Sequence, residues 1–111
     1  METHHHWQAR ALVALESTIA ARRQITYQSL ALTASIPAPY RISTLTSWLE
    51  ELIAEDANAG LPLRAACVIS RVRGIPAPGF FDCCAQHGIF AEDEDRADFY
   101  QRCLSALWTE S

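Results

Sequence analysis

The chain contains no lysine; all nine of its basic residues are arginine. A G-K-[ST] phosphate loop is therefore excluded, and Gly74 and Gly79 do not follow the dinucleotide-binding pattern. Four glycines and five prolines are too few for a low-complexity chain, which excludes intrinsic disorder. No apolar run approaches the ~18 residues of a membrane-spanning helix, so no membrane partner is expected. The opening METHHHWQAR has no hydrophobic signal core, and the expected compartment is the cytoplasm. Cys67, Cys83, Cys84 and Cys103 form no C-x-x-C pair, and Cys83 and Cys84 are adjacent. Reduced, mostly buried thiols are expected rather than a disulfide framework.

What is present is the composition of a folded domain. In 111 residues, 50% are hydrophobic and 20% charged, enough for one core and too few for two domains. The net charge of −4 is unevenly placed: residues 1–81 hold seven arginines against six acids, and residues 82–111 hold two against seven. Residues 60–79 carry three arginines and no acid. Arginine's planar fork suits phosphate or carboxylate, so a basic face is compatible with the acidic total.

Three histidines, His4–His6, are given no specific role. Trp7, Ala11, Leu12, Leu15 and Ile19 recur at spacings of three and four, predicting an amphipathic helix over residues 3–23 with Arg22 and Arg23 in its last turn. Thr26 is a good N-cap, flanked by Ile25 and Leu30 as a hydrophobic staple, for a short helix over residues 27–34. Pro37 and Pro39 make residues 36–39 a turn. A third helix then runs from Pro39 or Tyr40 to about Ala57, on the stripe Ile42, Leu45, Leu49, Leu52 and Ile53, and Gly60 helps to stop it.

Short helix, turn, longer helix is the helix-turn-helix order. Its exposed start would carry Tyr40, Arg41, Ser43, Thr44 and Ser47, side chains that can bond phosphates or base edges, with no acid among them. An ordinary solvated helix face is the competing explanation. Residues 63–70 alternate in polarity and read as one clear strand. Residues 71–79 read as a stiff Pro/Gly loop with Arg71 and Arg73 at its base. A helix over residues 80–87 closes at Gly88, and the acidic residues 91–95 open a last helix with Phe99, Tyr100, Cys103, Leu104, Leu107 and Trp108 on its apolar face.

Cys83 and His87 are four apart, as two zinc ligands on a helix would be, but a tetrahedral site needs two more. No metal and no cofactor are expected. Cys67 has nothing near it in sequence to lower its pKa, as a catalytic thiol requires.

Ile25-Thr26-Tyr27-x-x-Leu30-Ala31, followed by Pro39-Tyr40-Arg41 and a short strand with a cysteine, resembles the winged-helix DNA-binding domain of O6-alkylguanine-DNA alkyltransferases and alkyltransferase-like proteins. The resemblance covers residues 25–75. It implies that Tyr27 helps to rotate a damaged nucleotide and that Arg41 fills the vacated stack. Gln28 stands where the family has glycine, and the P-C-H-R active-site motif is absent, Cys67 being followed by Val68 and Ile69. Alkyl transfer by Cys67 is therefore not expected. Residues 61–81 also resemble small bacterial proteins that suggest no activity.

The expected fold is a mostly α, α+β, winged-helix-like single domain over residues 1–111. The expected function is a non-enzymatic binding module. DNA is the leading partner, met through Tyr27, Tyr40, Arg41, Ser43, Thr44, Arg64, Arg71 and Arg73. Two competing expectations are a protein partner, engaged by the Pro-Gly-Phe-Phe stretch and the acidic C-terminal third, and an enzyme or ligand site around Cys67 or the group Cys83, Cys84 and His87.

Overall fold

The computed structural model describes residues 6–91 and 93–110. His4 and His5, the first residues of the expected N-terminal helix and Glu92 lie outside them. The described chain is mostly helical, with five α-helices and one two-stranded parallel sheet.

Helix α1 (His6–Ala20) buries Trp7, Ala11, Leu15 and Ile19, one residue per turn down a single face. Trp7 meets Trp48 edge-to-face, ring centroids 5.7 Å apart. The helix ends at Ala20, so Arg22 and Arg23 lie beyond its last turn. There Arg22 takes a left-handed conformation (φ 56°) and Arg23 N donates to Thr18 O at 3.0 Å.

Strand β1 (Ile25–Thr26) leads directly into α2 (Tyr27–Thr33), where the Thr26 hydroxyl accepts from Ser29 N at 3.1 Å as the expected N-cap. Helix α3 (Arg41–Ala59) follows and stops at Gly60, whose φ of 69° is a left-handed cap natural to glycine.

The expected strand over residues 63–70 is corrected. Arg64–Cys67 is a 3-10 helix, and only Val68–Ile69, strand β2, is extended. Alternation implies one buried face, yet Ala65, Ala66, Cys67 and Val68 are all buried in succession. Their small side chains allow a tight turn to be enclosed on all sides, and Asp56 fixes its start by accepting from Arg64 N at 3.0 Å.

Strands β1 and β2 pair in parallel, Ile25 opposite Val68 and Thr26 opposite Ile69. Helix α4 (Pro78–Gln86) starts at Pro78, a residue suited to the first helical turn because its missing N–H would be unbonded anyway. Helix α5 (Arg96–Glu110) begins just after the acidic segment, with Asp95 Oδ2 accepting from Asp98 N at 3.0 Å. Phe80, Phe81, Phe90 and Phe99 lock α4 to α5, the closest pair being Phe90 and Phe99 at 4.7 Å. Arg96 and Arg102 lie over the faces of Phe81 and Phe99.

Candidate nucleic-acid interface

Because β1 and β2 run in parallel, the residues that follow them leave the sheet at the same end. Tyr27 opens α2 there, and Ser70 opens the loop there. The loop closes on itself: Ser70 N donates to Ile75 O at 2.8 Å and Gly74 N to Ser70 O at 2.9 Å. Arg73 N reaches the Ser70 hydroxyl at 3.4 Å, and Gly74 supplies the positive φ of 72° that the reversal needs. Arg71, Val72 and Arg73 therefore occupy the exposed tip of a closed turn over residues 70–75, not the base of a longer loop. Val72 is 94% exposed, and nothing in the sequence marked it as the apex. Pro76 is buried beneath, and Pro78 and Gly79 belong to α4.

Tyr27 fastens the chain just past this turn, at the start of α4, to α2. Its hydroxyl accepts from Ala77 N at 2.9 Å; burial pushes its pKa up, and that bond opposes the rise. Its ring lines a small cleft with Thr46, Glu50 and Phe80. Replacing Tyr27 by Phe is expected to cost about 1 kcal/mol, the worth of one partly buried hydrogen bond. Urea denaturation with an unchanged m-value would verify it, and an unchanged midpoint would show that solvent takes over the Ala77 N–H.

The segment 34–40 between α2 and α3 has Ser35 and Tyr40 at positive φ (58° and 63°) and a cis bond between Ala38 and Pro39. Arg41 Nε donates back to Ile36 O at 2.8 Å, and Arg10 Nε donates to Ala34 O at 2.6 Å, so two arginines tie the turn down. Tyr40 is 79% exposed; Ser43 and Ser47 are exposed and Thr44 half-buried.

Arg64 is held elsewhere. Its guanidinium meets the buried Asp56 (Nη2 to Oδ1 3.0 Å) and the exposed Glu55 (3.2 Å) near the C-terminal end of α3. Asp56 lies fifteen positions beyond Arg41, a rise of about 22 Å along the helix. Of the expected contact residues, the structure thus bonds Tyr27 to Ala77, just past the turn that bears Arg71 and Arg73, and sets Arg64 apart in an ion pair. No comparison with family models, curated proteins or solved structures gives a match for this chain.

Charge along the chain supports the same region. Acids are absent from residues 17–49 and again from 57–81, the stretches that build α2, its turn, the start of α3 and the 70–75 turn. Glu50 borders the first of them, its Oε2 lying 3.7 Å from where a Gly79 side chain would begin, beside the first turn of α4. Negative charge at that helix start is favourable.

The thiols offer no comparable site. Cys67, Cys83 and Cys84 are buried, while His87 is exposed beyond the end of α4. Among the described residues no three His, Cys, Asp or Glu side chains gather as metal ligands. Burial pushes the Cys67 and Cys84 thiols up to about 12 and Cys103 up to about 11, so each is neutral at pH 7 and a poor nucleophile. Burial raises the Tyr100 phenol to about 12 as well, opposed by the hydrogen bond from Gln24 Nε2 at 2.6 Å.

These raised values carry a sign. Below the unfolded thiol value of 9.0 both states are protonated and the fold keeps its full stability. Above it the unfolded chain ionises first and binds fewer protons, so stability falls as pH rises from about 9 to about 12. The melting temperature is expected to decline steadily across that window. A flat profile would mean that the thiols ionise freely within the fold.

The Pro-Gly-Phe-Phe stretch is not an exposed docking motif, since Phe80 and Phe81 are 5% and 1% exposed and belong to the core. No helix among the described residues is long and apolar enough to cross a membrane.

Proposed function

We propose that the protein is a non-enzymatic nucleic-acid-binding module of winged-helix type. In this reading α2 and α3 are the helix-turn-helix and the 70–75 turn is the wing. The observation that carries it is the wing itself: two exposed arginines flank an apolar tip, no acid lies within the segment, and Tyr27 bolts the chain just past the turn, at Ala77, to the start of α2. A connecting loop needs neither the bolt nor the paired cations. Arginine on phosphate supplies most base-independent affinity, and Ser43 and Ser47 add neutral hydrogen-bonding groups on α3. Tyr27 acts here as the support of the wing, and its hydroxyl already has a backbone partner.

Fluorescence anisotropy with labelled single-stranded and duplex oligonucleotides of mixed sequence, titrated over a range of salt, tests the reading. Binding that weakens linearly in log affinity against log salt is the expected result. Absence of binding to every probe at low salt would sink it.

A further inference from the structure

We infer that Tyr40 is a stacking platform for an unpaired nucleobase, which makes single-stranded nucleic acid the favoured ligand over an intact duplex. The inference rests on the nucleic-acid reading above and deepens it.

The first argument is electrostatic. The acid-free stretches contain six arginines: Arg22, Arg23, Arg41, Arg64, Arg71 and Arg73. Arg64 is neutralised by Asp56 and Glu55, and Arg41 has given its Nε to a carbonyl. The whole chain is acidic at −4. If the four others, Arg22, Arg23, Arg71 and Arg73, each neutralised a phosphate, the duplex salt slope would be only about −3.6, whereas a strong duplex binder neutralises about six to ten phosphates. Something other than charge must contribute if affinity is to be useful.

The second argument concerns what the turn presents. Within residues 32–42 the chain exposes Leu32 at 54%, Tyr40 at 79% and Ile42 at 43%, together with Pro37 and Pro39. That is an apolar and aromatic display with cations and no acid nearby in sequence. A duplex offers phosphates and groove edges, with its base faces already stacked. An unpaired base offers a π face, and stacking on an aromatic side chain is worth about 5-fold to 150-fold in affinity per base whatever its identity.

The third argument is conformational. Tyr40 adopts φ 63° and makes no side-chain cap to α3. Bulky residues are uncommon in the left-handed region, which glycine enters freely and asparagine tolerates. Neither packing nor capping in the folded chain accounts for a tyrosine there. An exposed aromatic held in that conformation is accounted for by what it touches outside the chain.

The test sets stability against affinity at one position. Tyr40→Gly relieves the backbone, so its melting temperature is expected to equal or exceed that of the parent, while affinity for oligo-dT and oligo-U falls about tenfold. Tyr40→Trp is expected to retain that affinity. It also adds an exposed indole whose emission should be quenched by a stacked base, whereas Trp7 and Trp48 are buried and Trp108 is half-buried, so quenching is read against the parent's own change. The parent is expected to bind both single strands more tightly than a duplex of equal length, since a base face is common to DNA and RNA. Equal or tighter duplex binding, or unchanged affinity in Tyr40→Gly, would overturn this inference and leave the general nucleic-acid reading standing. Failure of the parent to bind any probe would remove both.

Discussion

Asp56→Ala should destabilise the fold by about 3 kcal/mol, as large a stability loss as any expected from a single polar substitution in the chain. Asp56 is the one buried charged residue among those described, at 2% exposure. It accepts from Arg64 N at 3.0 Å and from Arg64 Nε at 3.1 Å, and its second oxygen lies 3.0 Å from Nη2. One carboxylate therefore both anchors the entry to the 3-10 helix and holds a guanidinium. Removing it leaves a partly buried cation with only the exposed Glu55 and leaves a backbone N–H without its partner. The converse change, Arg64→Ala, should also be costly, about 3 kcal/mol, because it strands the buried Asp56 carboxylate with only the backbone N–H of residue 64. Urea denaturation of both variants and of their combination measures the coupling. Losses that simply add would mean that the two side chains act independently and that the pair is not what holds the turn.

That clamp also explains why part of the fold was hidden in the sequence. Asp56 and Arg64 are eight positions apart across a helix end and a turn, where no helical or strand periodicity links them. The alternation of residues 63–70 imitated a strand because Ala65, Ala66 and Cys67 are small enough to be buried whichever way they point. A two-residue strand such as Ile25–Thr26 leaves no periodic signal at all, and its partner was only visible once folded. What was legible rested on local chemistry. Thr26 caps because its hydroxyl reaches an N–H three residues on, Gly60 and Gly88 stop helices because they accept positive φ, and α1 repeats its apolar residues at helical spacing. The arginines fell between these cases. Their presence and the missing acids could be read directly, but their destinations could not: Arg41 to the Ile36 carbonyl, Arg64 to Asp56, and Arg71 and Arg73 to an exposed tip. Each destination depends on a backbone reversal that composition does not encode.

Under the proposed function, the largest functional effect is expected from Arg71 and Arg73. Arg71→Ala combined with Arg73→Ala is expected to leave the melting temperature nearly unchanged, since surface changes away from special contacts seldom exceed ~0.5 kcal/mol. Both side chains are exposed, and the turn that bears them is closed by backbone bonds from Ser70 and Gly74 that neither substitution touches. The same double change should abolish duplex DNA binding at moderate salt. At low salt, where residual binding can be measured, the slope of log affinity against log salt should fall by about 0.9 for each phosphate that is no longer neutralised. Stability and binding are thereby separated within one variant. Unaltered affinity with an unaltered slope would take the 70–75 turn out of the interface. A marked drop in melting temperature would instead assign Arg71 and Arg73 to the fold, and the Tyr27 bond to Ala77 would then be only a structural staple. The two outcomes are read on independent measurements, so the role of the 70–75 turn does not rest on affinity alone.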